Sequence, residues 1–149
     1  MTEILFYHLE AQPLEKVLPV LLEKSLERGW SAIVEAGSEE RAADLDSKLW
    51  TYSDESFLPH ALAGGDADHL QPVLITTRPH NPNDAEVRFY VDRAIPDIVE
   101  GYERVVYMFS GHDPDAVTEA RTAWKTLKAA SHQLTYWQQD SGGRWVKKA

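Results

Sequence analysis

The sequence contains no cysteine, so neither a disulfide bond nor a cysteine thiolate can contribute to its structure or chemistry. No uninterrupted apolar run approaches the roughly 20 residues that a membrane-spanning helix needs. The opening segment, Met-Thr-Glu-Ile-Leu-Phe-Tyr-His, lacks the basic stretch and following apolar stretch of a secretory signal. These absences predict a soluble, cytoplasmic protein that does not contact a membrane.

Positive charge is scarce along most of the chain and concentrated near its end. The 149 residues include 15 Lys and Arg against 24 Asp and Glu, a net charge of −9, which disfavours broad contact with a nucleic acid backbone. Residues 1–120 hold 9 cations and 23 acids, whereas residues 121–149 hold 6 cations and one acid, Asp140. The basic segment fits either a site for an anionic partner or a solvated helix and tail.

The hydrophobic pattern alternates between strands and helices. Strands are predicted at residues 4–9, 31–36, 73–77, 87–91, 105–109, 134–138 and 144–147. Helices are predicted at residues 14–28, from the Ser38 cap to about Trp50, at 95–101 and at 113–130. Pro19 leaves open whether the first helix starts near Leu18 or is kinked.

This order of elements predicts the fold class and the domain organisation. Strands that alternate with helices favour a single α/β domain over residues 1–149, a three-layer α/β/α, Rossmann-like arrangement around a largely parallel sheet. Asp140-Ser141-Gly142-Gly143 is a turn signal between the last two strands, which indicates a C-terminal hairpin.

The glycine loops that bind nucleotides in such folds are missing. Neither G-x-G-x-x-G nor G-x-x-x-x-G-K-[ST] occurs, and the first strand is followed by Glu10-Ala11-Gln12-Pro13. No cofactor is therefore expected, and no catalytic residue is assigned.

A long loop at residues 51–72 carries the other residues that could support chemistry. His60, Asp66, Asp68 and His69 lie within it, but their spacing matches no defined metal site. We therefore predict no metal. Because the fold hosts many enzymes, a small-molecule enzyme with its site in the 60–69 loop stays open as an alternative.

The last predicted helix presents two adjacent faces. At 100° per residue, the sector that fits a core face consists of Ala116, Ala120, Ala123 and Leu127. Beside it runs a stripe of Val117, Arg121, Trp124 and Lys128. Two cations next to an aromatic and a branched aliphatic side chain suit an anionic peptide that ends in an apolar group. A basic helix end with a core tryptophan explains the same stripe without a ligand.

Two aromatic segments flank the start of the long loop. Leu45-Asp46-Ser47-Lys48-Leu49-Trp50 is followed by Ser56-Phe57-Leu58-Pro59-His60, and Pro72-Val73 begins the next strand. Together with the late helix carrying Arg121, Trp124 and Lys125, these segments resemble the chi subunit family of bacterial DNA polymerase III. The resemblance extends over nearly the whole chain.

The resemblance implies a non-catalytic subunit of a DNA-directed DNA polymerase complex that acts in the cytoplasm at the replisome. Such a subunit binds the acidic, Phe-terminated C-terminal tail of single-stranded DNA-binding protein, and it binds the psi subunit or an equivalent clamp-loader component. It would contact nucleic acid only indirectly. The tail contact falls on Phe109, Val117, Arg121, Trp124 and Lys125, to which the helical wheel adds Lys128. The psi contact falls on Trp50 and Phe57.

The basic C-terminal segment allows a third interpretation. Trp137 and Trp145 lie among its cations, so this segment could bind single-stranded DNA directly by base stacking. The acidic remainder of the chain disfavours that interpretation.

Overall fold

The computed structural model describes residues 2–51 and 58–149. These residues form eight strands and three α-helices. The strands are β1 (Glu3–Leu9), β2 (Ala32–Glu35), β3 (Ala61–Leu62), β4 (Val73–Thr76), β5 (Val87–Tyr90), β6 (Arg104–Ser110), β7 (Gln133–Gln139) and β8 (Trp145–Lys147). The helices are α1 (Leu14–Glu27), α2 (Glu39–Trp50) and α3 (Pro114–Ala129), and a 3₁₀ turn spans Asp68–Leu70. None of the helices within the described ranges is long and apolar enough to cross a membrane.

All eight strands belong to one sheet, in the order β3-β4-β2-β5-β6-β1-β7-β8. Every neighbouring pair is parallel except β7 and β8, which form the antiparallel hairpin. The expected α/β fold with a largely parallel sheet and a C-terminal hairpin is thereby confirmed.

Helices lie on both faces of the sheet. Since side chains alternate along each strand, one strand contributes residues to both cores. In β6, Val106 and Met108 join the core formed with α1 and α2, whereas Val105, Tyr107 and Phe109 join the core formed with α3. Strand β1 lies between β6 and β7, so the residues of these three strands form the surface on which α3 packs.

Two local predictions are resolved by the structure. Helix α1 begins at Leu14 and continues through the buried Pro19. The prediction of a short helix at residues 95–101 was wrong, since this segment has no helical structure. Pro96 lacks an N–H group, and Ile95 and Ile98 are exposed by 74% and 38% while Val99 is buried, so the apolar residues do not form one buried helical face.

The loop between β1 and α1 is held by one side chain from β7. The backbone N–H groups of Glu10, Ala11 and Gln12 donate to Oε1 of Gln139 at 3.2, 3.1 and 3.2 Å. Nε2 of Gln139 donates to Oε1 of Gln12 at 2.9 Å. In Rossmann-like folds the backbone amides of this loop commonly face a phosphate, whereas here they bind the chain's own carboxamide.

Candidate protein-binding site

Helix α3 is positioned by a complete N-terminal cap and by small residues on its inner face. The side chain of Asp113 accepts from the N–H groups of Asp115 and Ala116 at 3.0 and 3.3 Å, and Pro114 occupies the first turn. Ala116 and Ala120 are 3% and 2% exposed, so the helix backbone lies close to the sheet. This close packing leaves the Val117–Trp124 side of α3 directed toward β1, β6 and β7.

Trp124 is the aromatic centre of that side. Its half-buried ring makes edge-to-face contacts with Phe6 and Tyr136, with centroid separations of 5.2 and 5.6 Å. The Nζ atom of Lys128 lies 6.0 Å from its centroid, within the range of a cation–π interaction. The sequence left open whether Trp124 is core or surface, and it is both: one edge packs on the sheet while part of the ring stays accessible.

Phe109 and Val117 lie beneath and beside this ring cluster. Phe109, at the end of β6, is 5% exposed, and its centroid lies 4.8 Å from that of His8 and 6.2 Å from that of Tyr136. Val117 is half-buried against the same cluster. The structure thus brings Phe109, Val117 and Trp124, three of the residues predicted to contact the tail, to one side of the sheet.

The three cations of α3 are exposed, and none of them pairs with a carboxylate in the part of the chain that the structure describes. Arg121, Lys125 and Lys128 form no ion pair with any residue that the structure describes. By contrast, carboxylates pair with five cations nearer the start of the chain, namely Arg41, Lys48, Arg88, Arg93 and Arg104. The α3 cations are therefore available to an external anion.

Sequence reasoning missed two members of this site, His8 and Tyr136. Nδ1 of His8 and the hydroxyl of Tyr136 are 2.6 Å apart. Burial lowers the pKa of His8, and the positive charge of Arg121 lowers it further. Burial raises the pKa of Tyr136, and the charge of Arg121 opposes that rise. The sequence did contain a signal for these two residues. Alternation along β1 places His8 on the same face as Phe6, and alternation along β7 places Tyr136 on the same face as Leu134.

Below, the surface formed by His8, Phe109, Val117, Arg121, Trp124 and Tyr136, together with the exposed Lys125 and Lys128, is called the α3 surface.

The second predicted contact lies at the other end of the sheet. Trp50, the last residue of α2, is 52% exposed, and its ring centroid lies 4.4 Å from that of His60. Leu62 in the edge strand β3 is also exposed, by 39%. Phe57 lies outside the described residues, so Trp50 alone of the two predicted residues can be placed.

Two of the four candidate side chains of the 60–69 loop, those of His60 and Asp68, serve the fold, whereas Asp66 and His69 are exposed. His60 is 5% exposed, and its Nδ1 and Nε2 atoms lie 2.7 and 3.0 Å from the carbonyl oxygens of Leu58 and Asp46. The carboxylate of Asp68 accepts from the N–H groups of Gly64 and Gly65. Within the described ranges, no three His, Asp or Glu side chains are grouped to hold a metal ion.

A cleft of about 580 Å³ lies where the carboxyl ends of β1 and β6 meet. Ligands often bind in this position in open α/β sheets because the chain connections diverge there. Its two arginines are already paired, Arg41 with Asp92 at 3.2 Å and Arg93 with Glu119, which lies outside the cleft. The α3 surface is thus the stronger candidate, since its cations have no such partners among the described residues.

The described residues have an α/β fold, and the α3 surface is their candidate binding surface. The family model described as DNA polymerase III chi subunit, HolC, matches residues 1–135. The chain therefore belongs to the DNA polymerase III chi subunit family, as its sequence motifs predicted.

Curated relatives carry the same name. DNA polymerase III subunit chi of Pseudomonas aeruginosa is 28% identical over 108 residues, which cover 70% of this chain and 75% of the relative. The probable chi subunit of Rickettsia prowazekii is 29% identical over 87 residues, covering 58% and 53%. The chi subunit of Haemophilus influenzae is 24% identical over 108 residues, covering 72% and 74%.

Solved structures of low sequence identity share the fold. The C-terminal domain of S. cerevisiae Dbp5 in complex with Gle1 and IP6 superimposes with a TM-score of 0.56 at 13% identity, covering 91% of this chain and 90% of that one. A second structure of the C-terminal domain of the DEAD-box protein Dbp5 gives a TM-score of 0.54 at 16% identity, with the same coverage. These likenesses concern the arrangement of the elements alone.

Proposed function

We propose that this chain acts by binding rather than catalysis, linking single-stranded DNA-binding protein to the clamp loader of the DNA polymerase III holoenzyme. The acidic C-terminal tail of single-stranded DNA-binding protein would bind the α3 surface. The psi subunit, or an equivalent clamp-loader component, would bind around Trp50.

The observation that carries the proposal is the set of unpaired cations beside an accessible tryptophan. Arg121, Lys125 and Lys128 have no carboxylate partner among the described residues, although the chain contains 24 acids. A carboxylate that pairs with the planar guanidinium of Arg121 can accept two parallel hydrogen bonds. The partly exposed ring of Trp124 offers a rigid apolar surface to the terminal phenylalanine of the tail.

Few contacts support such a complex, so its affinity should be modest and sensitive to salt. Binding must offset the cost of ordering a flexible tail. The attraction between exposed charges is screened over about 8 Å at physiological ionic strength. Both effects suit a contact that forms and releases while the polymerase moves.

The part of the proposal that concerns psi is supported by the exposure of Trp50. An aromatic side chain with half its surface exposed is typical of a protein interface. We expect Trp50→Glu to prevent co-elution with a psi subunit in size-exclusion chromatography, while Leu70→Glu, at a position exposed by 71%, does not. Unchanged co-elution of the Trp50→Glu protein would remove this residue from the interface.

The tail site is tested by substitution of Arg121. In calorimetric titration with an acidic peptide ending in Ile-Pro-Phe, Arg121→Ala should weaken binding at least about tenfold, the loss of roughly 1.4 kcal/mol expected for a charge-assisted contact. Arg78→Ala is the matched control, since Arg78 is an exposed arginine near the opposite edge of the sheet. Equal affinities of the two variants would refute the assignment of the tail to the α3 surface.

A further inference from the structure

A second groove lies on the face of the sheet opposite α3. It has a volume of about 310 Å³ and lies between α1 and the β7–β8 hairpin. Helix α1 packs on β2 and β6 nearer the middle of the sheet, so the α1-side face of the hairpin strands is left partly open. Three aromatic side chains line the groove, those of Tyr7, Trp137 and Trp145.

Strand register explains why these aromatic residues share one face. Tyr7 pairs with Trp137 across the parallel β1–β7 ladder, and Gln139 pairs with Trp145 across the antiparallel hairpin. Paired residues point to the same face, as do residues 137 and 139 of one strand. The rings of Tyr7 and Trp145 meet edge to face at 4.9 Å, while both tryptophans remain half-exposed.

Lysines border the aromatic floor on two sides. Lys16 and Lys24 project from α1, about 12 Å apart along the helix axis, with Val20 between them exposed by 47%. Lys147 pairs with Trp137 across the hairpin and so lies on the same face. These three lysines form no ion pair with the described residues.

Acidic side chains are missing from this groove among the residues that the structure describes. This is notable in a chain with 24 acids and a net charge of −9. The nearest acid of the α1 N-terminus, Glu15, is directed to Lys48 and Arg41 of α2. The groove is therefore a local region of positive charge around partly buried rings.

We propose that this groove binds a short segment of single-stranded nucleic acid. Bases would stack on Trp137 and Trp145, and phosphates would contact Lys16, Lys24 and Lys147. Alternation of indole rings with cations is the composition of sequence-tolerant single-strand sites. The cations are lysines, which act as point charges toward phosphate. The two indole rings favour a nucleic acid over an acidic peptide, because bases stack on them.

The groove and the α3 surface lie on opposite faces of the sheet, so both can be occupied at once. The inference does not rest on the tail-binding proposal. With three phosphate contacts, the slope of log K against log salt should be about −2 for a single strand. Binding by the isolated protein should therefore be weak and detectable at low salt.

The test compares two double variants of the full chain and two ligands. The groove variant combines Lys16→Gln with Lys24→Gln, which removes two of the three lysine charges of the groove. The matched control combines Lys125→Gln with Lys128→Gln on α3. For each double variant, fluorescence anisotropy measures the affinity for a labelled eight-nucleotide oligothymidylate. Calorimetry measures the affinity for the acidic peptide. All four substituted lysines are exposed, so folding should be preserved.

We expect the groove variant to weaken oligothymidylate binding at least fivefold and to leave peptide binding unchanged. Trp137→Leu should weaken the oligonucleotide similarly, and a duplex should compete poorly because its bases are already stacked. Three results would overturn the inference: no oligonucleotide binding at low salt, an equal loss in both double variants, or a loss of peptide binding alone in the groove variant. The last would identify the groove as a peptide site.

Discussion

Gln139 shows how one side chain can replace a ligand in the structure of a loop. It is 2% exposed, and its Oε1 atom accepts from three consecutive backbone N–H groups of the β1–α1 loop. Buried N–H groups without an acceptor are costly, and here the side chain of Gln139 accepts from all three. In nucleotide-binding proteins of Rossmann-like fold, a phosphate accepts from the corresponding N–H groups. The same bonds tie β7 to the start of α1.

Replacement of Gln139 by leucine should destabilise the protein by about 1–3 kcal/mol, because three amides lose their acceptor. Gln139→Glu keeps an oxygen acceptor and should cost less than the leucine variant, even though it loses the bond to Gln12. Urea unfolding followed by circular dichroism measures both free energies of unfolding. Equal losses in the two variants would show that the three N–H bonds are not what Gln139 contributes.

At the scale of elements, α3 was predictable because its pattern is local. The spacing of Ala116, Ala120 and Leu127 predicted a core face, and all three are buried. The segment at residues 95–101 also carries apolar residues but has no helix, since Pro96 lacks an N–H group and Val99 is buried while Ile95 and Ile98 are exposed. Apolar residues therefore predict a helix only where they line one buried face.

The close approach of α3 to the sheet should make its alanines sensitive to size. Ala120→Leu adds three carbon atoms at a position that is 2% exposed, and overpacking of this kind costs about 1–3 kcal/mol. Ala129→Leu makes the same chemical change at an exposed position of the same helix and should be nearly neutral. Thermal unfolding compares them, and an unchanged melting temperature for Ala120→Leu would contradict the packing described here.

At the scale of the whole molecule, the sheet order decides which distant residues meet. Because β1 lies between β6 and β7, His8 and Tyr136 come together with Phe109, although 128 residues separate the first two. The motifs identified Phe109 and the α3 stripe, but strand order is not encoded locally, so His8 and Tyr136 were missed. For the same reason, the sequence singled out Trp137 and Trp145 of the groove but not Tyr7 or the lysines of α1 that lie beside them.

Charge is also organised on the molecular scale. The first 120 residues carry a balance of −14, and the last 29 carry a balance of +5. An acidic peptide is therefore repelled by most of the protein and attracted mainly by its C-terminal part. Under the adaptor proposal, the orientation of a bound tail would therefore depend on electrostatics, which salt weakens.

The most direct test of the adaptor proposal is calorimetric titration of the unmodified protein with an acidic peptide ending in Ile-Pro-Phe, at low and moderate salt. A peptide that lacks the final Phe serves as the control. We predict binding that weakens as salt increases and that is lost without the Phe. In the adaptor proposal, Arg121 would pair with a carboxylate of the tail and Trp124 would contact the terminal Phe. Absence of binding at low salt, or equal binding of both peptides, would contradict it.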